Sequence, residues 1–226
     1  MVRLVFALAG LAAVLTPATG AAQGKAQAAR EVAEYLTAKF GRGAAAEGVE
    51  ALGARLSGLV GRHGDDVLLA VRNTGPRGLE LIAGAGEHTP AVVKLLARHG
   101  DDAVWVVSRP KSLAVFVKYG DDAGRALVRH GSLAESLVGS HGLPAAAALN
   151  AVSARQARRL VMMAEDGLLA DAPGVFKAVA KSGDAAVDFL FRHRTRWRDA
   201  AILAVVLADV DDYLAGRRVL PPEPGR

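Results

Sequence analysis

The sequence predicts an all-α fold: stacked short helices separated by Gly-Asp turns, forming an irregular α-solenoid-like array. Three observations predict it. First, a turn signal recurs, as Arg62-His63-Gly64-Asp65-Asp66, Arg98-His99-Gly100-Asp101-Asp102 and Lys118-Tyr119-Gly120-Asp121-Asp122, and in weaker form as Arg129-His130-Gly131-Ser132 and Lys181-Ser182-Gly183-Asp184. Second, the residues 3, 6 and 7 places after each turn glycine are apolar: Val67, Ala70 and Val71; Ala103, Val106 and Val107; Ala123, Ala126 and Leu127; Ala134, Leu137 and Val138; Ala186, Phe189 and Leu190. That spacing is one face of a helix. Third, the 226 residues are 51% hydrophobic but only 5% aromatic, with 25 glycines, so small aliphatic side chains must supply the core.

The elements follow in order from the amino terminus. Arg3 precedes an apolar stretch from Leu4 to Leu15, and Thr16-Pro17-Ala18-Thr19-Gly20-Ala21-Ala22 offers small residues for cleavage after Gly20 or Ala22. This is the pattern of a signal peptide over 1–22. The stretch falls short of the roughly 20 apolar residues that span a bilayer. The expected destination is therefore extracytoplasmic, periplasmic or secreted, with a helical repeat domain over 23–220.

Helices are expected at 26–40 and 44–62, then in quick succession at 65–73, 76–84, 90–99, 101–108, 111–119, 122–130 and 132–139. Each boundary in this run carries a glycine except that between 108 and 111, which carries Arg109-Pro110. A basic residue in the last turn suits the negative end of the helix dipole, glycine takes the left-handed conformation that stops the helix, and aspartate caps the next one. Thr89-Pro90 places a cap residue before a proline at the first helical position. The segment Val104-Trp105-Val106-Val107 with Leu113 to Val117 has the β-branched and aromatic content of a hairpin, but its helical register between two Gly-Asp-Asp turns favours helix over 101–119.

Further helices are expected at 144–151, 154–166, 172–182, 184–193 and 197–215. Ser153-Ala154-Arg155-Gln156 matches a capping box. The tail 221–226, Pro221-Pro222-Glu223-Pro224-Gly225-Arg226, reads as disordered.

Helices of about eight residues are unstable alone, because nucleation is costly. Stacking into pairs of about 22 residues would bury their apolar faces, an arrangement that resembles HEAT and armadillo solenoids in architecture only, since these units are shorter.

Chemistry is sparse. Cysteine is absent, which excludes disulfides, thiolate metal sites and cysteine nucleophiles. The net charge of +5 comes from 28 basic and 23 acidic residues spread along the chain, a weak argument for an acidic partner. His63, His99, His130 and His141 each precede a turn glycine, and with Asp65 and Asp101 they raise a metal or small-ligand carrier as one alternative. Tyr119 and Ser182 fill the same slot, which favours helix capping instead. The acidic pairs match no calcium-loop spacing.

Arg192, Arg194, Arg196, Trp197 and Arg198 form the densest basic run, ahead of the apolar stretch 200–208, and are the expected contact for a lipid surface or a protein partner. A single patch is a thin footprint for nucleic acid, which is not expected as a partner. Gly20-Ala21-Ala22-Gln23-Gly24-Lys25-Ala26 departs from a phosphate-binding loop at Thr19 and Ala26, and no nucleophile elbow, zincin helix or dinucleotide fingerprint occurs.

The expected function is thus a non-enzymatic interaction scaffold of the cell envelope with an unknown protein partner, without catalytic residues, cofactor or metal. The alternative is a peripheral protein of the membrane surface. The 11-residue spacing of Gly64, Gly75 and Gly86, and of Gly131 and Gly142, with the proline punctuation, resembles that of apolipoprotein-like amphipathic helices.

Overall fold

The computed structural model describes residues 18–41, 48–169, 174–194 and 215–217. Among them every regular element is helical. The α-helices are α1 (Ala18–Phe40), α2 (Val49–His63), α3 (Asp66–Gly84), α4 (Thr89–His99), α5 (Val104–Val107), α6 (Pro110–His130), α7 (Ser132–His141), α8 (Leu143–Ala151), α9 (Ala154–Glu165) and α10 (Gly174–Arg192), with 3-10 turns at Gly86–His88 and Gly100–Ala103. The chain divides into two compact units, 1–68 and 69–226.

In the first unit α1 packs on α2. Ala29, Ala33 and Leu36 of α1 and Leu52, Leu56, Leu59 and Val60 of α2 are buried. Gly53 is buried in this contact, where a Cβ would stand at ordinary van der Waals distance, 3.6 Å, from Arg30 Cα. Lys25 reaches Asp65 at 3.6 Å. The expected leader over 1–22 lies mostly outside the described residues. α1 begins at Ala18 rather than at 26, and both expected cleavage positions stand in its opening turns.

In the second unit each helix packs mainly on elements near it in sequence. α6 meets α4, α5, α7, α8 and α9, and α10 meets α8 and α9. The positions that the turn-anchored spacing picks out are buried, among them Val106, Ala126, Leu127, Leu137, Val138, Phe189 and Leu190. α8 buries Ala145, Ala146, Ala148 and Leu149, and these small side chains let α6, α7 and α10 share it.

The joints between helices are shorter than the sequence suggests. α3, α6 and α10 each contain two helices that meet at one non-helical residue: Gly75, Gly120 and Gly183. At Gly131 the N–H donates to Leu127 O at 2.8 Å, closing α6, while its carbonyl accepts from Ala134 and Glu135 at 3.1 and 3.2 Å, opening α7. Gly142 does the same between Val138 and Ala146. One glycine serves as the end of one helix and the cap of the next.

This changes two expectations. The glycines have positive φ, but with φ 60 and ψ −132 at Gly131, or φ 72 and ψ −151 at Gly120, they are not in the left-handed helical region near about +57, +47. They lie in the mirror of the extended region, which only glycine enters without strain. Because glycine itself holds the cap position, the following aspartates fall inside the first turn, where their charge meets the helix dipole. They are not side-chain caps. Asp121 instead reaches back to α4, to Lys94 at 2.9 Å and Arg98 at 2.8 Å.

Thr89 and Ser153 also differ from expectation. Thr89 is the first residue of α4 and not its cap, a position that His88 holds without a side-chain bond, and the Thr89 hydroxyl donates to Gly86 O at 2.7 Å. Ser153 is the N-cap of α9 but makes no side-chain cap bond.

Over 101–119 the chain is helical, as 3-10 turn, α5 and the first half of α6. Burial of Val104, Val106 and Val107 outweighs their β preference. α5 stops where the Ser108 hydroxyl takes Val104 O at 2.7 Å and where Arg109, ahead of Pro110, is extended. The expected helix at 197–215 falls almost wholly, and the tail at 221–226 wholly, outside the described residues.

Candidate functional site

α9 is amphipathic. Gln156, Ala157, Leu160, Val161 and Met163 are buried, while Arg155, Arg158 and Met162 are exposed, Met162 by 51%. The second half of α10 turns Ala186, Val187, Phe189 and Leu190 inward and leaves Asp188 and Phe191 half-buried against α9.

Arg159 joins the two helices. Its guanidinium donates to the Asp188 carboxylate and to Gln156 Oε1 at 3.3 Å, and it lies over the Phe191 ring at 4.5 Å. Arg194 lies over the same ring at 4.7 Å. Arg192 Nε donates to Asp188 O at 3.3 Å. A hydrogen bond from Gln156 holds the Asp188 carboxyl below the ordinary carboxylate range. Burial opposes the shift, and Arg159 and Arg155 reinforce it. The arrangement is a basic surface with one ionised carboxylate and one aromatic ring fixing its guanidinium groups. Such groups match carboxylates or phosphates in fork geometry.

Of the expected basic run, Arg192 and Arg194 belong to this surface, whereas Arg196, Trp197, Arg198 and the apolar stretch 200–208 lie outside the described residues. Arg155, Arg158 and Arg159 escaped the sequence reading, which used this segment only as a helix start. Their signal was the spacing of 3 and 4 residues on one helical face.

The turn histidines serve separate local roles. His130 Nε2 bonds Leu149 O at 2.8 Å, and the His141 ring packs on Phe176 at 4.9 Å. Burial first, then Arg98 and Arg125, push the pKa of His99 down. Among the described residues no three His, Asp or Glu side chains stand together as a metal site.

A groove of about 410 Å³ is lined by Leu81, Val107, Leu113 and Ala114 together with Glu80 and His88. A cleft of about 160 Å³ is lined by Ser136, Ser140, His141 and Glu165. No helix among the described residues is long and apolar enough to cross a membrane. No family model matches the chain, and no curated protein or solved structure matches it.

Proposed function

We propose that the chain is a non-enzymatic interaction scaffold of α-solenoid-like build, exported to the cell envelope or periplasm, and that the basic face of α9 and α10 docks an acidic protein partner. The amino-terminal pattern supports export. The observation that carries the docking role is the pair of arginines over one ring: Arg159 and Arg194 both lie on Phe191, beside exposed Arg155, Arg158 and Met162. Arginines already fixed by a ring lose less side-chain freedom on binding. The exposed Arg155 and Arg158 beside them can each take a carboxylate with two hydrogen bonds, and an exposed methionine adapts to an apolar neighbour.

The lipid reading draws less support. A helix that lies in a membrane surface needs its apolar face free, and that of α9 is buried. Its exposed residues are Ala154, Arg155, Arg158, Met162 and Glu165.

The test compares the wild-type chain with an Arg155→Glu, Arg158→Glu variant, each immobilised and exposed to a native envelope fraction. An acidic protein that binds the wild type, elutes with rising salt and is lost from the variant supports the proposal. Equal capture by both chains overturns the basic face as the docking site. Flotation of the wild type on phosphatidylglycerol vesicles, without protein capture, would replace the scaffold reading by the lipid one.

A further inference from the structure

His130 closes α6 immediately before the Gly131 joint, and it is only 8% exposed. Its Nε2 stands 2.8 Å from Leu149 O in the last turn of α8. A carbonyl only accepts, so Nε2 carries the hydrogen and Nδ1 is the bare nitrogen of a neutral ring. Nδ1 is buried without a hydrogen-bond partner among the described residues, and so is Asn150 Oδ1. Arg129 Nη1 donates to Asn150 O at 2.9 Å, and Asn150 Nδ2 donates to Asp122 O at 2.9 Å. The carboxyl end of α8, whose last carbonyls have no partner within their own helix, is therefore capped by the carboxyl end of α6.

We propose that this contact is an acid-released latch: proton uptake by His130 at Nδ1 unseats the last turn of α8 from the end of α6. The second proton would create a cation inside the contact, with an N–H that meets no acceptor among the described residues. Opening brings both ring N–H groups to water. It also uncovers the small apolar face of Ala145, Ala146, Ala148 and Leu149.

Apart from the Leu149 carbonyl, whose hydrogen bond favours the cation less than burial opposes it, the surroundings offer no compensation. α5 and α8 carry no ionisable side chain. On α7, Glu135 accepts the Ser112 hydroxyl and His141 rests on Phe176. On α4, Lys94 and Arg98 are paired with Asp121, and His99 lies beside Arg98. On α9, Arg159 is paired with Asp188, while Arg155, Arg158 and Glu165 are exposed. On α6 itself Asp122 holds Arg125, Lys118 lies over Tyr119, and Lys111 is exposed. The charge that bears on the ring is Arg129, and being positive it opposes protonation, as burial does more strongly.

The sign follows from linkage. Folding pushes the His130 pKa below its ordinary 6.5, so the open form binds the proton more readily than the closed one. The latch holds fully above that value and weakens as the pH falls through the lowered one, with the opening equilibrium rising up to roughly tenfold per pH unit for a single coupled proton.

The experiment follows the full chain from pH 7.5 to 5 by NMR, reading the His130 ring proton and the amide exchange of residues 146–152, corrected for intrinsic exchange. The expected result is a late ring titration and an acid-driven loss of protection that sets in below the ordinary 6.5 and levels off once the ring has titrated. His130→Gln, which keeps a donor for Leu149 O but cannot titrate here, should abolish the pH dependence, and His99→Gln should retain it. If His130→Gln does not fold, the wild-type chain alone decides by whether ring titration and exchange move together. A ring that titrates without any change in exchange, or His130→Gln losing protection as the wild type does, overturns the latch.

Discussion

The main-chain N–H of Ser153, at the start of α9, donates at 2.7 Å to a carboxylate oxygen of Asp184, a residue 31 positions further along the chain. In a capping box this N–H would be taken by Gln156 from within α9. Gln156 instead serves Arg159 and Asp188, and the joint of α10 supplies the cap from outside. Asp184→Ala should therefore lower stability by about 1 kcal/mol, the usual worth of a lost cap. Urea denaturation would measure it, and an unchanged midpoint would show that the bond contributes nothing.

Glycine joints give a sharper contrast. At Gly120, with φ 72 and ψ −151, a Cβ would meet no atom within 4 Å, so the cost of substitution there is backbone strain alone. Gly120→Ala and Gly120→Asn should both lose about 1–3 kcal/mol, because asparagine tolerates left-handed helix but not this region. Gly183→Ala should lose more, since its Cβ would also stand 3.0 Å from Ala151 O. Thermal or urea unfolding of the three variants ranks them, and an asparagine at 120 that is tolerated would contradict the assignment.

Glycines inside helices behave differently. Gly58 lies within α2, is exposed and has no neighbour within 4 Å of a built Cβ. Gly58→Ala should stabilise the chain by about 0.5–1 kcal/mol through helix propensity. Gly124→Ala should do the reverse, by about 1–3 kcal/mol, as its Cβ would come within 2.9 Å of Leu95 and of the buried Phe116 ring. Paired denaturation curves test both signs.

Two carboxylates carry an acid dependence. Hydrogen bonds from Lys94 and then Arg98 hold the Asp121 carboxyl below its ordinary 3.8, and Asp188 is lowered first by its bond from Gln156. The folded chain thus releases these protons more readily than the unfolded one. Their contribution is complete above the ordinary value and is lost as pH falls through the lowered ones. Gln156→Ala should raise the Asp188 titration midpoint in carboxyl-selective NMR and leave that of Asp121 in place.

The helix boundaries were legible because a backbone conformation closed to side chains has to be written as glycine, so Gly75, Gly120, Gly131, Gly142 and Gly183 stand in the sequence as they stand in the fold. The buried face was legible for a similar reason, since spacing from a fixed joint sets direction around a helix. The joint length was not, because glycine enters several positive-φ conformations and its presence does not say which one it takes. That is why Asp121 and Asp184 read as caps of their own helices and prove to be staples to others. The α9 arginines were visible as a stripe, but their relation to Phe191 and Asp188 depends on how α9 meets α10, which no local pattern states.

A joint of one residue has no slack. Inserting or deleting a single residue within a helix would swing everything beyond it about 100° around the axis, and a hinge made of one glycine cannot absorb the rotation as a loop does. Within these helices a change in length must thus come as a whole helical unit, and the exchange of a side chain disturbs such a fold far less than the gain of a residue.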